Sequence, residues 1–481
     1  MIFIELPITV TNEKGDISSM KKIAVHLVIL VIMFTMLGGC IESNSQKDSS
    51  INEASKAVET DEINGVDGTR TLENSNNSEF VTKWVNAVAY IQESVNHVPG
   101  IDESTTKEER DEMFDSLISD IENGLNDEQI IYYRVCNILA LAKSLHMGLW
   151  FEDEAHQTFG SQFMIDFIWA KEGLTIFGTD EQYREYLGAV VTRINGYSLK
   201  EIIDKYATIR FNETDAGRKN CIYGLCTADL KYLGIMNEED DSTVLTLHKG
   251  KDEEKDVTIH AFAPEDKVNW VSAIETEQLP FTYRIRQESN FRNYSLVEDT
   301  EYGIMYFQYL ACGEENDESF EDFFDGMMEK MQAQDDLYKT LVIDVRWNLG
   351  GNRYILQKQL KQYQDYLDTK RICIITGNFT ASAAVHAVED CLNYFDDVKI
   401  YGEPTVGAIH NYTEVKVTSV PEVNLMLQLP TVRDYVPKLV EKYGDVVESV
   451  VPDVEVQQSF EDISNGIDTV YQRIIEDIQI Q

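Results

Sequence analysis

Residues 341–384 constrain the fold more than any other part of the chain. Residues 341–346 form a short apolar, β-branched run that is typical of a strand buried on both faces. A turn with Gly350 and Gly351 follows, then helical spacing, and then a second apolar strand pattern at residues 372–376. This order predicts a βαβ unit in a parallel sheet, and the chemistry of such sheets collects where strands end and helices begin.

The turns that follow these two strands carry complementary chemical groups. Gly350 and Gly351 allow the backbone to approach a ligand and to aim N–H groups at an oxyanion. Ser382 opens the next predicted helix, where unpaired N–H groups and the helix dipole favour a developing negative charge. A nucleophile and an oxyanion hole form half of an acyl-transfer site. In the structural alternative, the glycines only form a turn and the serine only caps a helix.

Four motifs occur in a fixed order at residues 341–352, 380–383, 402–407 and 451–453. Together they resemble the strand-and-glycine signature, the Thr-Ala-Ser-Ala nucleophile motif, the Gly-Glu-x-Thr-x-Gly turn and the Ile-Pro-Asp motif of the C-terminal processing (tail-specific) serine peptidases. The resemblance implies an α/β catalytic domain of the crotonase/ClpP-like ββα type that cleaves a peptide or protein substrate. It also implies that Ser382 is the nucleophile and that Gly350 or Gly351, with Ala383, donates to the oxyanion.

The general base departs from the familiar members of that family. They place a lysine just after the downstream turn, where this chain has Ala408, so a Ser–Lys dyad at that place is excluded. His146 ends a predicted helix before a strand, which is where the tricorn-like branch carries its histidine, although the neighbouring Asp and Thr of that branch are replaced. His410 is the second candidate base, and Glu414 the candidate that orients the imidazole. We rank His146 first; a structural role at a helix end is the alternative.

The N-terminal sequence predicts export. Two lysines precede the apolar run of residues 23–37, and small residues follow it, which is the order found in signal peptides. The residues before Cys40 resemble a bacterial lipobox, which implies lipidation of Cys40 and attachment to the cell membrane on its extracytoplasmic face. A plain signal peptide and a signal anchor are the alternatives, and translation can begin at Met1 or Met20.

The segment at residues 187–199 resembles the glycine–strand–Ile-Asn-Gly segment of the PDZ-like modules in these proteases. That resemblance implies a module that presents peptide by strand addition, and a β-rich spacer is the alternative. The predicted organisation is a signal region with a lipobox at 1–40, a disordered tether at 41–79, a helical segment at 80–150, a PDZ-like or β-rich module at 151–270 and the catalytic domain at 280–481.

Composition and motif content exclude several classes of protein. The net charge of −43 argues strongly against nucleic acid as a partner, because phosphates would be repelled. Neither a metal-ligand spacing nor a nucleotide-binding loop occurs, so no metal or cofactor is indicated. Cys221 and Cys226 are the only close cysteine pair, and their disulfide state is left open. The competing functions are a catalytically inactive peptide-binding homologue and a crotonase-like acyl-CoA enzyme, and the export signal argues against the latter.

Overall fold

The computed structural model describes residues 68–152, 160–263, 266–446 and 448–480. The predicted signal region with Cys40 lies outside the described residues, as does most of the predicted tether. The first helix among the described residues begins at Gly68, so the last residues assigned to the tether are helical. No helix within the described ranges combines the length and the apolar character needed to cross a membrane.

The described residues contain helices and strands in alternating groups. The helices are α1 Gly68–Val95, α2 Lys107–Glu122, α3 Glu128–Ala140, α4 Leu199–Tyr206, α5 Asp215–Lys219, α6 Thr227–Tyr232, α7 Phe281–Glu288, α8 Phe320–Ala333, α9 Tyr354–Gln362, α10 Gln364–Leu367, α11 Ala383–Tyr394, α12 Pro437–Tyr443, α13 Phe460–Ser464 and α14 Thr469–Gln479. The strands are β1 Gly148–Phe151, β2 Ile165–Ala170, β3 Gly173–Asp180, β4 Val190–Ile194, β5 Tyr197–Ser198, β6 Ser242–His248, β7 Lys255–His260, β8 Trp270–Ser272, β9 Tyr294–Asp299, β10 Ile304–Tyr309, β11 Thr340–Asp344, β12 Arg371–Thr376, β13 Val398–Gly402, β14 Tyr412–Val420, β15 Leu425–Arg433 and β16 Val454–Glu455.

A six-stranded sheet with the order β16-β13-β12-β11-β10-β9 forms the centre of the C-terminal half. Its strands are parallel except β9, which pairs antiparallel with β10. Strands β11 and β12 are neighbours in a register that places Leu341 opposite Ile372, and α9 and α10 connect them. The predicted βαβ unit is therefore present, with strand bounds shifted by one or two residues.

Both faces of this sheet are covered. Helices α8, α9, α11 and α12 pack on one face around residues such as Phe307 and Ile343. Helix α14 covers the other face, where Ile474 packs with Val342 and Ile375. In the central strands β10, β11 and β12, which are buried on both faces, apolar residues therefore predominate without alternation.

The N-terminal helices pack on a smaller antiparallel sheet with the order β1-β15-β14. Helix α3 begins after Asp127, whose carboxylate accepts from the N–H groups of the next turn, as the sequence predicts. It ends at Ala140, earlier than the apolar periodicity suggests, and a turn then leads to β1. Strand β1 pairs with β15, so that Leu149 lies opposite Leu427 and the turn before β1 is fastened to the C-terminal half.

A third sheet, with the path β2-β3-β4-β6-β7, forms a β-rich module with its own apolar core. Strand β5 pairs with β4, and β8 pairs with β3, which extends the module to Ser272. Ser198 is the N-cap of helix α4 and forms a capping box with Glu201. Cys221 and Cys226 are free thiols, so this close pair forms no disulfide.

Candidate active site

Ser382 lies at a sharp turn between β12 and α11. Its φ of 50° and ψ of −125° place a residue with a Cβ in a sparsely populated region of backbone space. Thr380 holds the preceding loop: its Oγ1 donates to the carbonyl oxygen of Val345 at 2.8 Å and accepts from the N–H of Gly377 at 3.0 Å. These two hydrogen bonds therefore fix the conformation of the loop that carries Ser382.

The imidazole of His146 reaches this serine from the N-terminal segment. Its Nε2 lies 3.1 Å from the Oγ of Ser382, within hydrogen-bond distance. The side chain of His146 is only 12% exposed, so little water competes for this contact. The Nε2 of Gln428 donates to the backbone carbonyl oxygen of His146 at 3.2 Å, which fixes the turn that carries the ring.

A carboxylate lies on the side of the imidazole opposite to Ser382. Oε1 of Glu213 lies 3.5 Å from Nδ1 of His146, and the Glu213 side chain is 1% exposed. Two backbone N–H groups hold this carboxylate: Leu145 donates to Oε1 at 3.0 Å and Ala408 to Oε2 at 2.9 Å. Glu213 comes from the loop between α4 and α5, in the β-rich module. The sequence analysis did not select it, because no motif marks that loop.

Gly350 lies against the nucleophile. A Cβ placed on it would come within 2.6 Å of the Ser382 Cβ and 3.0 Å of the Ala383 nitrogen. Its φ is 112°, a value that residues with side chains rarely adopt. The N–H of Gly350 donates to Oδ1 of Asn348 at 2.8 Å and is therefore already engaged. Ala383 begins α11, so its N–H is one of those without an acceptor inside the helix.

Gly351 faces the opposite direction from Gly350. A Cβ placed on it would lie 2.4 Å from the carbonyl oxygen of Cys312. The amide nitrogen of Cys312 donates to the carbonyl oxygen of Gly350 at 2.8 Å. In a trans peptide the C=O and the next N–H point in opposite directions, so the N–H of Gly351 points away from Cys312.

The Asp-Val-Arg part of the first motif forms a buried ion network. Arg346 contacts Oδ2 of Asp344 at 2.8 Å and Oδ2 of Asp468 at 2.6 Å. Burial opposes the charge of Arg346, but the two carboxylates prevail and raise the pKa of its guanidinium. Because Asp468 is the N-cap of α14, the network ties the turn after β11 to the C-terminal helix. Its role here is to hold the glycine turn in place.

The structure does not bring two of the predicted site residues to the nucleophile. His410 is buried, with its Nδ1 2.7 Å from Oδ1 of Asp445. Glu414 lies on β14 with an exposed side chain, at a point where its φ of 53° interrupts the regular pairing with β15. Within the described part of the chain, neither forms a hydrogen bond or an ion pair with Ser382 or His146. Glu213 takes the place expected for Glu414.

Comparison with known proteins identifies the fold. No protein-family model matches the chain, and no curated protein matches it. Mature CPAF is similar in structure, with a TM-score of 0.56 and 10% identity over 83% of this chain and 97% of CPAF. CPAF complexed with lactacystin gives 0.55 at the same identity and coverage of this chain. The photosystem II D1 C-terminal processing protease gives 0.36 at 10% identity over 82% of this chain. The chain therefore shares the fold of CPAF.

No group of histidine, cysteine and acidic side chains suited to a metal ion occurs among the described residues. An activated hydroxyl, an imidazole, a carboxylate and free N–H groups at a helix start are the components of nucleophilic acyl transfer.

Proposed function

We propose that this chain is a serine peptidase of the tail-specific family that hydrolyses peptide bonds with a histidine, rather than a lysine, as its base. The observation that carries the proposal is the 3.1 Å distance between Nε2 of His146 and Oγ of Ser382, on a serine held in a strained turn. The four motifs, one of which contains Ser382, and the fold shared with CPAF support the same function.

In the acylation step, His146 Nε2 takes the proton of Ser382 as Oγ attacks the scissile carbonyl carbon. The imidazolium that forms then has Glu213 beside its Nδ1, and this carboxylate stabilises the charge and fixes the orientation of the ring. The 3.5 Å separation is that of the resting site, and such contacts shorten when the ring becomes charged. His146 returns the proton to the leaving amine, and water then hydrolyses the acyl-enzyme by the same sequence.

The tetrahedral oxyanion needs donors that are free and correctly directed. The N–H of Ala383 meets both needs, since it starts a helix next to the nucleophile. The N–H of Gly350 is engaged by Asn348, whereas the N–H of Gly351 points away from Cys312. We assign the oxyanion hole to Ala383 and Gly351, with Gly350 giving the close approach to Ser382.

The proposal extends to the other parts of the chain. The catalytic domain is of the crotonase/ClpP-like ββα type, and the β-rich module is PDZ-like and receives peptide at an edge strand. In support, the path of its sheet ends at β2 and β7, which offer edges for strand addition. Cys40 carries a lipid that holds the protein on the extracytoplasmic face of the membrane, as its lipobox-like sequence suggests.

The experiment is covalent labelling with a serine-directed fluorophosphonate, together with hydrolysis of a mixed peptide library. Labelling of the unmutated chain, its loss in Ser382→Ala, and peptide cleavage are the expected results. A chain that binds peptides but is neither labelled nor active would be the catalytically inactive homologue. Labelling accompanied by turnover of acyl-CoA esters and not of peptides would indicate the crotonase-like enzyme.

A further inference from the structure

A cavity of about 250 Å³ lies beside the nucleophile loop, between the β-rich module and the central sheet. Its walls are unusually rich in aromatic rings, which come from both parts of the protein: Trp169, Phe177, Tyr223, Tyr283, Trp347 and Phe379. Such rings present an electron-rich face that attracts cations as well as apolar groups. The wall composition therefore allows an aromatic, an aliphatic or a cationic ligand.

Two acidic side chains in the cavity favour the cationic ligand over the aromatic and the aliphatic one. Asp166 from β2 and Glu403 from the turn after β13 both line the cavity. Within the described residues, no other side chain forms a hydrogen bond or an ion pair with either carboxyl group. Burial raises the pKa of Asp166 and of Glu403 to about 7. Arg286 opposes this rise for Asp166, and Lys219 and Arg346 oppose it for Glu403, but burial prevails. A ligand cation in the cavity would favour the ionised form of the carboxyl group that it contacts.

The native cations near the cavity act on the two acids without forming an ion pair with them among the described residues. Arg346 is paired with Asp344 and Asp468. Arg286 stacks on the Trp347 ring at 4.4 Å from its centroid, and its buried Nε has no acceptor. Lys219 lies 6.0 Å from the centroid of the Trp169 ring.

The cavity shares both of its inner loops with the catalytic groups. Leu349 precedes Gly350, and Asn378 and Phe379 precede Ser382 by only a few residues. Tyr223 of the β-rich module contacts this loop: its hydroxyl oxygen accepts from Nδ2 of Asn378 at 2.6 Å. A peptide with its scissile bond at Ser382 therefore has a flanking side chain within reach of the cavity.

We propose that this cavity binds the lysine or arginine side chain of a substrate residue that flanks the scissile bond, with Asp166 and Glu403 as its counter-charges. The identification of the bound side chain as part of a substrate rests on the proposed function. Cation binding by the cavity does not depend on turnover. A basic side chain offers a charge to the carboxylates and contact to the aromatic walls, whereas an aliphatic side chain offers only the contact.

Binding is tested first in the full chain carrying Ser382→Ala, so that no probe is consumed. The probes are Nα-acetyl-lysine N-methylamide and its uncharged norleucine analogue, measured by calorimetric titration at pH 8. The lysine probe is expected to bind about tenfold or more tightly than the norleucine probe, as for a desolvated charge pair. Asp166→Asn and Glu403→Gln, each added separately, are expected to remove most of that difference. Asp252→Asn, on the exposed turn between β6 and β7, is the matched control and leaves it unchanged.

Turnover is tested next in the unmutated chain with quenched peptides that carry lysine or norleucine at each of the positions around one scissile bond. A roughly tenfold gain in kcat/KM for lysine at one position, lost in Asp166→Asn and Glu403→Gln, supports the inference. Equal binding of the two probes, or unchanged binding in both variants, would overturn it. Hydrolysis without any basic preference refutes the cavity assignment alone. Lysine-selective binding in a chain that cleaves no peptide supports the cavity and refutes the peptidase.

Discussion

The backbone N–H of Ala408 donates a 2.9 Å hydrogen bond to Oε2 of Glu213. Ala408 occupies the position at which the familiar tail-specific peptidases carry their lysine. Instead of a base, this position supplies a donor that fixes a carboxylate, and the other oxygen of that carboxylate faces His146. The position that lacks the lysine thus supports the carboxylate of a different proposed triad.

Replacing Glu213 tests that support. Glu213→Gln keeps the volume of the side chain but removes the negative charge beside the imidazole. It also places an amide NH2 group against one of the two backbone N–H groups that donate to this side chain. We expect kcat for peptide hydrolysis to fall by about 10²–10⁴-fold with little change in KM. Glu414→Gln, which changes the candidate suggested by the sequence, is expected to keep its activity. Equal losses in the two variants would contradict the assignment of Glu213.

The two histidines are expected to behave differently. His146→Ala removes the group that lies 3.1 Å from Ser382 Oγ, so the rate at which the fluorophosphonate phosphonylates Ser382, with loss of fluoride, should approach the Ser382→Ala baseline. His410→Ala breaks a contact with Asp445, away from the nucleophile, and should be labelled, and acylated by substrate, at the unmutated rate. If His410→Ala alone loses acylation, the base has been misassigned.

Gly350 can be tested against a glycine with the same backbone conformation. In Gly350→Ala the new methyl group would lie 2.6 Å from the Cβ of Ser382, so the nucleophile must move. We expect acylation to fall by about 10²–10³-fold, the size of effect seen when an oxyanion site is disabled.

The control for Gly350→Ala is Gly124→Ala. Gly124 has a φ of 113° against 112° for Gly350, but a Cβ there meets nothing within 4 Å. Both substitutions carry the same conformational strain, and only one contacts the nucleophile. A similar loss of acylation in both variants would show that strain alone, and not proximity to Ser382, explains the result.

Glu403, one of the two acids in the cavity, predicts that the free energy of unfolding depends on pH. Burial raises the pKa of Glu403 from its ordinary 4.5 to about 7, so the folded state holds this proton more tightly than the unfolded state. That contribution to stability is complete below the unfolded pKa and is lost as the pH rises through about 7. Glu403→Gln should therefore be more stable than the unmutated chain at pH 8, by on the order of 2 kcal/mol, and nearly equal to it at pH 5.

Denaturant unfolding at these two pH values provides the measurement. Asp252→Asn removes an exposed carboxylate and should show the same small difference from the unmutated chain at both. A Glu403→Gln chain that is destabilised equally at pH 5 and pH 8 would show that Glu403 has a favourable partner.

The membrane address is tested at Cys40. Because the residues before it resemble a lipobox, Cys40→Ser is expected to release the chain from the membrane fraction of the expressing cell. Lys47→Ser, in the polar stretch that follows, serves as the control and should remain membrane-bound. Retention of an unprocessed Cys40→Ser chain would mean that the apolar run acts as an anchor helix.

Local patterns predicted the central parallel sheet well. The apolar runs of β11 and β12, the glycine turn and the helix that starts after Ser382 are each determined by neighbouring residues. The turn that carries His146 was also placed correctly at a helix–strand junction, although α3 ends earlier than its periodicity suggests. The contact of His146 with Ser382 itself depended on the resemblance, since they are 236 residues apart.

Glu213 could not be found in this way. Its loop has no motif, and its partners, Leu145 and Ala408, come from two other parts of the chain. Only the packing of the β-rich module against the other two parts brings them together. Glu414, in contrast, could have been set aside from sequence, because β14 alternates in exposure and Glu414 lies on the same solvent-facing side as Lys416.

His146, Glu213 and Ser382 come from the helical segment, the β-rich module and the central sheet, in that order along the chain. A ribosome therefore makes the histidine first and the serine last, and no nascent chain that stops before Ser382 contains all three. Nor does a proteolytic fragment that has lost any one part retain the full set. Because the proposed triad is divided among three parts of the chain, peptidase activity would be absent during synthesis and translocation. It would appear only when the three parts have folded against one another.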